Sequence, residues 1–336
     1  MQTIVTLLTL VTLFAAATPA QEADRVLHFT ATQPPENLQQ IATVIRAVSN
    51  IPQIAIDTSE QSISLHGTAE QVALCEWLFT NLDKPNAPTS GAKHEYRVSD
   101  NADDVVRLFY LTNPEIPRGV QEVATAVRSL VDARQVFAYN DLSAVAVRGT
   151  EEEIRTGEFL FNAMDRPAVQ PGSNLQSSAS PEFRMNQQPE NLVRVFYLPN
   201  TKTIRDFQEV ATLVRSIMDV RRLFTYNAAR AIAVRGTDDQ MAVTKWLFAN
   251  LDAASATASH SGAVEYRLSP TTDDFVRVIY LTHGTTPERL QETATQVRTR
   301  AGIRRLFTYS VPSAIVVRDT TEKLALAGRL IQEQDK

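Results

Sequence analysis

One unit of sequence recurs four times along this chain of 336 residues, and that repeat constrains the fold more than any other feature. The first landmark is a Gly or Asp before Thr at the end of an apolar run: Gly67, Gly149, Gly236 and Asp319. The second landmark is an arginine within a helical pattern: Arg46, Arg128, Arg215 and Arg298. Both repeat with the same spacings of 82, 87 and 83 residues. Two landmarks in one register indicate tandem copies of a single small domain.

The third copy displays the order of elements within a unit. Residues 193–198 form a β-branched and aromatic run, which predicts a strand. Apolar residues recur at helical spacing over 204–217, which predicts an amphipathic helix. Two more strands are predicted at 222–226 and 231–234, and a second helix follows them. The order is therefore β-α-β-β-α.

The start of the second helix carries a capping signal in three of the copies. Thr237 is followed three residues later by Gln240, the spacing at which both side chains cap backbone amides. Thr150 with Glu153 and Thr68 with Gln71 repeat this pattern. The fourth copy has Lys323 at the second position, so we expect a weaker cap there.

These patterns predict an α+β fold, a tandem array of four small βαββα modules. The boundaries are 24–84 for module 1, which is divergent, 95–166 for module 2, 182–252 for module 3 and 264–336 for module 4. Segments rich in Pro, Ser, Ala and Gly at 85–92, 167–181 and 253–262 predict flexible linkers. A Glu-aromatic-Arg motif follows each linker and is consistent with an additional edge strand: Glu95-Tyr96-Arg97, Glu182-Phe183-Arg184 and Glu265-Tyr266-Arg267.

The N-terminus is typical of an exported protein. An apolar stretch over 4–17 leads to small residues ending at Ala20, and a polar segment follows. This pattern predicts a signal peptide at 1–20, although Met1-Gln2-Thr3 lacks the usual basic residue and an uncleaved anchor stays an alternative. The stretch is short for a membrane span, so membrane contact is expected to be peripheral at most.

Several classes of chemistry are disfavoured by the residues present. The single cysteine, Cys75, excludes an intrachain disulfide and a cysteine-based zinc cluster, and we expect it to be a small core residue. The five histidines form no metal-ligand spacing, and there is no phosphate-binding glycine motif. The βαββα order is also that of KH modules, but no G-x-x-G loop is present and the formal net charge is −5. We therefore expect no nucleic-acid partner, no metal, no cofactor and no catalytic residues.

Two acidic pairs precede the first strands of modules 2 and 4. They are Asp103-Asp104 and Asp273-Asp274, and module 3 has Pro189-Glu190-Asn191 in their place. General acid–base catalysis needs one such constellation within a pocket. Because the pair is not kept in every copy, we expect a solvated loop instead.

The repeated unit resembles the short periplasmic N-terminal domains of secretins, the outer-membrane channels of type II and type III secretion and type IV pilus systems. The resemblance is carried by FYLPNTKTIRDFQEVATLVRSI (196–217) and LFTYNAARAIAVRGTDDQMAVTKWLFANLD (223–252). It covers modules 2 to 4 and, loosely, module 1. In that family such domains form periplasmic rings, contact inner-membrane partners and carry no catalytic residues. Secretins also have a C-terminal channel domain, and the sequence given has none, so the resemblance implies the ring or docking part without the pore.

Repeated arginines and tyrosines form the candidate interaction surface. The arginines are Arg107, Arg194 and Arg277 in the first strands and Arg148, Arg235 and Arg318 at the ends of the third strands. The tyrosines are Tyr110, Tyr197 and Tyr280. The arginines can serve contacts between modules or with a partner, or they can pair with acidic residues inside each module; the sequence leaves both readings open.

The sequence thus predicts a non-enzymatic, exported interaction or assembly protein. We expect it in the periplasm, free or associated with the outer membrane, as a component or adaptor of a secretion or pilus system. Its partners would be proteins, either further copies of itself or a secretin or other machine component. The alternative is a periplasmic binding module for cell-wall glycan or another ligand.

Overall fold

The computed structural model describes residues 22–88, 94–98, 103–112, 119–167, 181–186, 189–227, 229–252, 262–283, 286–311 and 313–335. The predicted signal peptide and most residues of the three predicted linkers lie outside these ranges. By its contacts the chain divides into two compact units, 1–80 and 81–336. The module boundaries remain predictions, and we keep the module names for the corresponding segments.

Module 1 contains a three-stranded antiparallel sheet in the order β1-β3-β2. Its elements are β1 (Glu22–His28), α1 (Pro35–Ser49), β2 (Gln53–Asp57), β3 (Ser62–Thr68) and α2 (Ala69–Leu82). The core of unit 1 includes Ile45, Ile63 and Leu78, which are fully buried. Phe29 and Phe79 pack edge to face in it, with ring centroids 4.8 Å apart.

The other modules each contain a four-stranded antiparallel sheet. Module 2 has β4 (His94–Arg97), β5 (Val105–Tyr110), α3 (Gly119–Leu130), β6 (Gln135–Tyr139), β7 (Ala144–Gly149) and α4 (Glu151–Met164). Module 3 has β8 (Glu182–Arg184), β9 (Leu192–Tyr197), α5 (Ile204–Met218), β10 (Arg222–Tyr226), β11 (Ala231–Gly236) and α6 (Asp238–Leu251). Module 4 has β12 (Gly262–Arg267), β13 (Phe275–Tyr280), α7 (Pro287–Ala301), β14 (Arg305–Tyr309), β15 (Ala314–Asp319) and α8 (Thr321–Gln334).

Strand order places each Glu-aromatic-Arg motif at a sheet edge. The orders are β4-β5-β7-β6, β8-β9-β11-β10 and β12-β13-β15-β14. The additional edge strands expected from the sequence are therefore present as β4, β8 and β12. The described structure is thus a mixed α+β protein with four small antiparallel sheets.

Helix capping follows the sequence pattern closely. Thr150 and Thr237 form capping boxes at the starts of α4 and α6. Thr68 and Gln71 exchange the same two hydrogen bonds at the start of α2. Thr320 makes no side-chain capping bond, which confirms the weaker cap expected in module 4. Lys323 instead donates to the Gly302 carbonyl, 3.2 Å away.

Central strands of the sheets in unit 2 are buried on both faces. Every residue of β11 is buried, and so are five of the six residues of β5. A strand places alternate side chains on opposite faces, so this pattern requires a covering layer on each face. In β9, Leu192 and Phe196 pack with the helices of module 3, whereas Val193 and Val195 pack into a cluster with module 2 residues. The sequence left open whether the modules touch, and in unit 2 they share hydrophobic clusters.

Candidate functional site: the repeated interface between modules

The boundary between modules 2 and 3 is a helix-on-sheet contact. Helix α3 lies against β10 and β11. The sheet contributes Val193, Val195 and Ala233, all at most 1% exposed, to one cluster with Leu130. Full burial of an aliphatic side chain stabilises by roughly 1.5–3 kcal/mol, so these residues make the boundary a true packing interface.

The boundary between modules 3 and 4 repeats this arrangement. Helix α5 lies against β14 and β15. Val276, Val278 and Val316 of the module 4 sheet are buried in one cluster with Ile217 of α5. The same stacking step therefore occurs twice in unit 2.

Arg235 crosses the first of these boundaries. Its Nη1 donates to the Leu130 carbonyl at 2.8 Å and to Asp132 Oδ2 at 3.0 Å, and its Nε donates to the Glu190 carbonyl at 2.9 Å. The side chain is 1% exposed. A buried guanidinium is tolerated because charged and carbonyl oxygens accept its hydrogens.

Arg318 makes the equivalent contact at the second boundary. Its Nη1 donates to the Ile217 carbonyl at 2.9 Å. Its Nε and Nη2 form a two-point contact with Asp274 of its own module, with the shorter distance 2.7 Å. At both boundaries, the arginine of the third strand therefore donates to a carbonyl at the end of the first helix of the preceding module.

In modules 3 and 4 a second arginine of the sheet pairs with the aspartate that follows the first helix of the preceding module. Arg222 Nη1 lies 2.6 Å from Asp132 Oδ1, and Arg305 pairs with Asp219. Burial alone would raise the pKa of Asp132, but hydrogen bonds from Arg222 and Arg235, with their charges, hold it below the usual value. The interface therefore stabilises the charged carboxylate.

The predicted tyrosines also face module boundaries. The Tyr197 hydroxyl donates to the Ala163 carbonyl at 2.5 Å, and Tyr280 donates to the Asn250 carbonyl at 3.0 Å. Both acceptors lie in the last turn of the preceding module's second helix, where carbonyls lack helical partners. Tyr110 donates to the Asn81 carbonyl at 3.1 Å. Burial raises the pKa of Tyr280 to about 12, so the hydroxyl stays a donor at neutral pH.

Aromatic pairs complete the repeated interface. Phe183 of β8 lies beside Phe159 of α4, with ring centroids 5.7 Å apart. Tyr266 of β12 lies beside Trp246 of α6 at 5.5 Å. In modules 3 and 4 the central residue of the Glu-aromatic-Arg motif therefore packs on the preceding module.

The first-strand arginines serve a different purpose, because they pair within their own modules. The glutamate directly opposite each one in the edge strand accepts from it: Arg107 with Glu95, Arg194 with Glu182, and Arg277 with Glu265. Arg107 also bonds Glu158 of α4 at 2.6 Å. For this row the described contacts follow the intramodule reading.

Arg148 pairs within module 2, and its partner corrects one expectation. Its Nε and Nη2 bind Asp104 at 3.0 and 2.8 Å. Asp104 is 7% exposed, so the solvated-loop interpretation is wrong for this residue. Asp274 holds Arg318 in the same way. Each carboxylate orients the arginine at the end of the third strand.

Sequence reasoning missed Asp132 and Asp219, the acceptors on the helix side. A sequence signal for these aspartates exists, because an aspartate ends the corresponding tripeptide in two copies of the repeat: Leu130-Val131-Asp132 and Ile217-Met218-Asp219. Module 4 has Arg300-Ala301-Gly302 there. Asp219 also ends α5 in a left-handed conformation with φ of 52°.

Among the residues that the structure describes, no group of three or more His, Cys, Asp or Glu side chains is arranged to hold a metal ion. Within the same ranges, no helix has the length and apolar character needed to cross a membrane.

No protein-family model matches the chain, and no curated protein is significantly similar to it. Among solved structures, the N-terminal domain of the secretin XcpQ from Pseudomonas aeruginosa matches 68% of this chain and 99% of its own, at 12% identity and a TM-score of 0.22. Aeromonas hydrophila ExeD matches 69% of this chain at 13% identity and a TM-score of 0.16, and this chain covers 41% of ExeD. Dim2p from Pyrococcus horikoshii OT3 matches 43% of this chain and 91% of its own, at 13% identity and a TM-score of 0.22. These TM-scores are too low for the likenesses to indicate a function.

Proposed function

We propose that this chain is a non-enzymatic interaction and assembly protein, exported to the periplasm as an adaptor of a secretion or pilus system. One observation carries the proposal: the same helix-on-sheet interface recurs at both boundaries of unit 2, with the same arginine, tyrosine and aromatic contacts. A repeated association surface is what a stacking module provides, as in solenoid proteins. The side chains of this interface make contacts between protein modules.

The ends of the repeat support an adaptor rather than a polymer. In α7 and at the residue that follows it, the equivalents of Leu213, Ile217 and Asp219 are Gln296, Arg300 and Gly302. The helix face that would receive a further sheet is therefore polar. Terminal repeats with polar outer faces end a stack.

The outer sheet face of module 1 is also polar or open to solvent. Asp24, Ser64 and Gln53 are exposed there, as is Val26, at 52%. The equivalent face of module 3 carries Val193 and Val195. Head-to-tail joining of chains through this interface would bury charge without apolar gain, so we expect a monomer that binds a ring built by another chain.

The assignment to secretion rests on the sequence resemblance, and the assignment to export rests on the N-terminal pattern. Expression of the full chain with mass determination of the periplasmic protein tests the export step. We expect an N-terminus at or near Gln21. Retention of the full-length mass in the membrane fraction would instead favour an uncleaved anchor.

The function is tested by light scattering of the chain from Gln21 onward, followed by co-purification with the periplasmic domains of a secretin. We expect a monomer mass and a stable complex. A mass of many subunits would contradict the adaptor role and favour self-assembly. Co-sedimentation with peptidoglycan sacculi, without any secretin complex, would support the glycan-binding alternative.

A further inference from the structure

The outer edge of β1 differs from the corresponding edge in the other modules. In modules 2 to 4 an added antiparallel strand flanks the first long strand: β4 beside β5, β8 beside β9, and β12 beside β13. In module 1, β1 is itself at the edge, and no described strand pairs with its outer side. An open edge presents backbone donors and acceptors to an incoming strand.

The added strands place a glutamate directly opposite an arginine. Glu95, Glu182 and Glu265 are in register with Arg107, Arg194 and Arg277, and each pair is bonded. The arginine side chains are only 9%, 16% and 21% exposed. In these three modules the added strand therefore forms an ion pair with the first long strand, and the arginine of that pair is largely buried.

Arg25 of β1 occupies the position of Arg107, 82 residues earlier in the repeat. It pairs with Glu76 of α2 at 2.6 Å, as Arg107 pairs with Glu158 of α4 at 2.6 Å. Its side chain is nevertheless 59% exposed. Arg25 therefore has the carboxylate partner on the helix, as Arg107 does. Among the described residues, no added strand places a carboxylate opposite Arg25.

Backbone geometry at this edge suits an added strand. Phe29 N donates to the Gln61 carbonyl at 2.9 Å, which fixes the hydrogen-bonded pairs between β1 and β3. Because the direction alternates along a strand, the backbone N–H groups of Asp24 and Val26 point to the open edge. The backbone N–H of Arg25 points to β3. A residue added opposite Arg25 then lies at a non-hydrogen-bonded position, where paired side chains are closest.

The same register holds in module 2. Val98 N donates to the Asp104 carbonyl at 3.0 Å, so Glu95 and Arg107 form a non-hydrogen-bonded pair. A strand on β1 would repeat this arrangement, with its carboxylate beside Arg25.

We propose that the open edge of β1 binds an antiparallel strand of a partner protein that carries Glu or Asp in register with Arg25. The inference rests on the proposed interaction function and names the chemistry of the partner. The described strands of this chain with the matching glutamate are already paired in their own sheets, which favours a separate polypeptide as donor. Backbone pairing supplies affinity, and the carboxylate sets the register.

The test uses a labelled peptide with the sequence of residues 262–269, GAVEYRLS, and the chain from Gln21 onward. Fluorescence polarisation should give saturable binding. Arg25→Glu should weaken it by about tenfold or more, and a peptide with arginine in place of its glutamate should recover binding to that variant. Val26→Pro removes an amide that points to the open edge without touching the β1–β3 ladder, so it should abolish binding while the fold is kept.

Absence of saturable binding, or binding unchanged by both variants, would overturn the proposal. A dimer of the chain that Val26→Pro dissociates and the peptide blocks would assign the edge to a second copy and would also overturn it. Neither outcome affects the secretin co-purification, so failure of this inference and failure of the proposed function are distinguishable.

Discussion

Arg235 of β11 and Asp132, which follows α3, form an ion pair across a module boundary although they are 103 residues apart in sequence. The arginine side chain is 1% exposed and the aspartate 40%. Because the same guanidinium also binds the Leu130 carbonyl, it holds both the end of a helix and its following residue. This side chain therefore adds directional hydrogen bonds to the apolar packing between modules 2 and 3.

Replacement of Arg235 by methionine should destabilise unit 2 strongly. Methionine replaces the unbranched stem of the arginine but removes the guanidinium, which leaves two carbonyls and Asp132 without this donor, and we expect a loss of about 3 kcal/mol. Urea unfolding is followed by the fluorescence of Trp246 in a Trp77→Phe background. Arg184→Ala removes an ion pair between two exposed side chains, Arg184 and Asp238, and should therefore destabilise the fold far less. Equal losses in the two variants would contradict the bridging role of Arg235.

Removal of the tyrosine hydroxyls should weaken both boundaries by similar amounts. Tyr197→Phe and Tyr280→Phe each delete one bond to a helix-end carbonyl, at a cost of about 1 kcal/mol. The sites share no partners, so the double variant should lose about the sum. Tyr266→Phe, whose ring packs on Trp246, serves as the control in the same urea titration. A loss confined to one variant would show that the two boundaries are not equivalent.

The stability of module 3 should depend on pH through Asp252. Burial, which outweighs hydrogen bonds from Asn200 and Thr201, raises its pKa from 3.8 to about 7. The folded state thus holds this proton more tightly than the unfolded chain. The contribution to stability is full below about pH 4 and is lost as the pH rises toward about 7.

Asp252→Asn tests this dependence by thermal unfolding across that pH range. The variant should lose the slope contributed by Asp252 and should match the wild type most closely at the acidic end, where both side chains are neutral. Parallel wild-type and variant profiles would refute the assignment.

Cys75 should be unreactive in the folded protein. It is buried in unit 1, and burial raises the pKa of its thiol to about 11, so little thiolate exists at neutral pH. Ellman's reagent should titrate the thiol fully in denaturant and hardly at all in buffer. Rapid reaction of the folded protein would show that α2 opens readily.

Elements whose signals are local could be predicted from the sequence. Capping pairs such as Thr237 and Gln240, strand alternation and helical spacing depend on neighbours within a few residues, so the order of elements and the edge-strand motifs were readable. Cys75 was also predicted as a core residue, since it lies within an apolar helix. These signals needed no knowledge of how elements pack.

The partner of each repeated arginine could not be predicted from such local signals. Arg107 and Arg235 both repeat in register, yet one pairs with its own edge strand and the other with the preceding module. Asp132 escaped notice because its partners lie about 90 residues or more away. The sequence alone determined the repeat and the elements of each copy, because those depend on local periodicity. Only the tertiary structure decided which sheet faces are covered and which charges meet, because a strand's second face and a guanidinium's partners are set by segments distant in the chain.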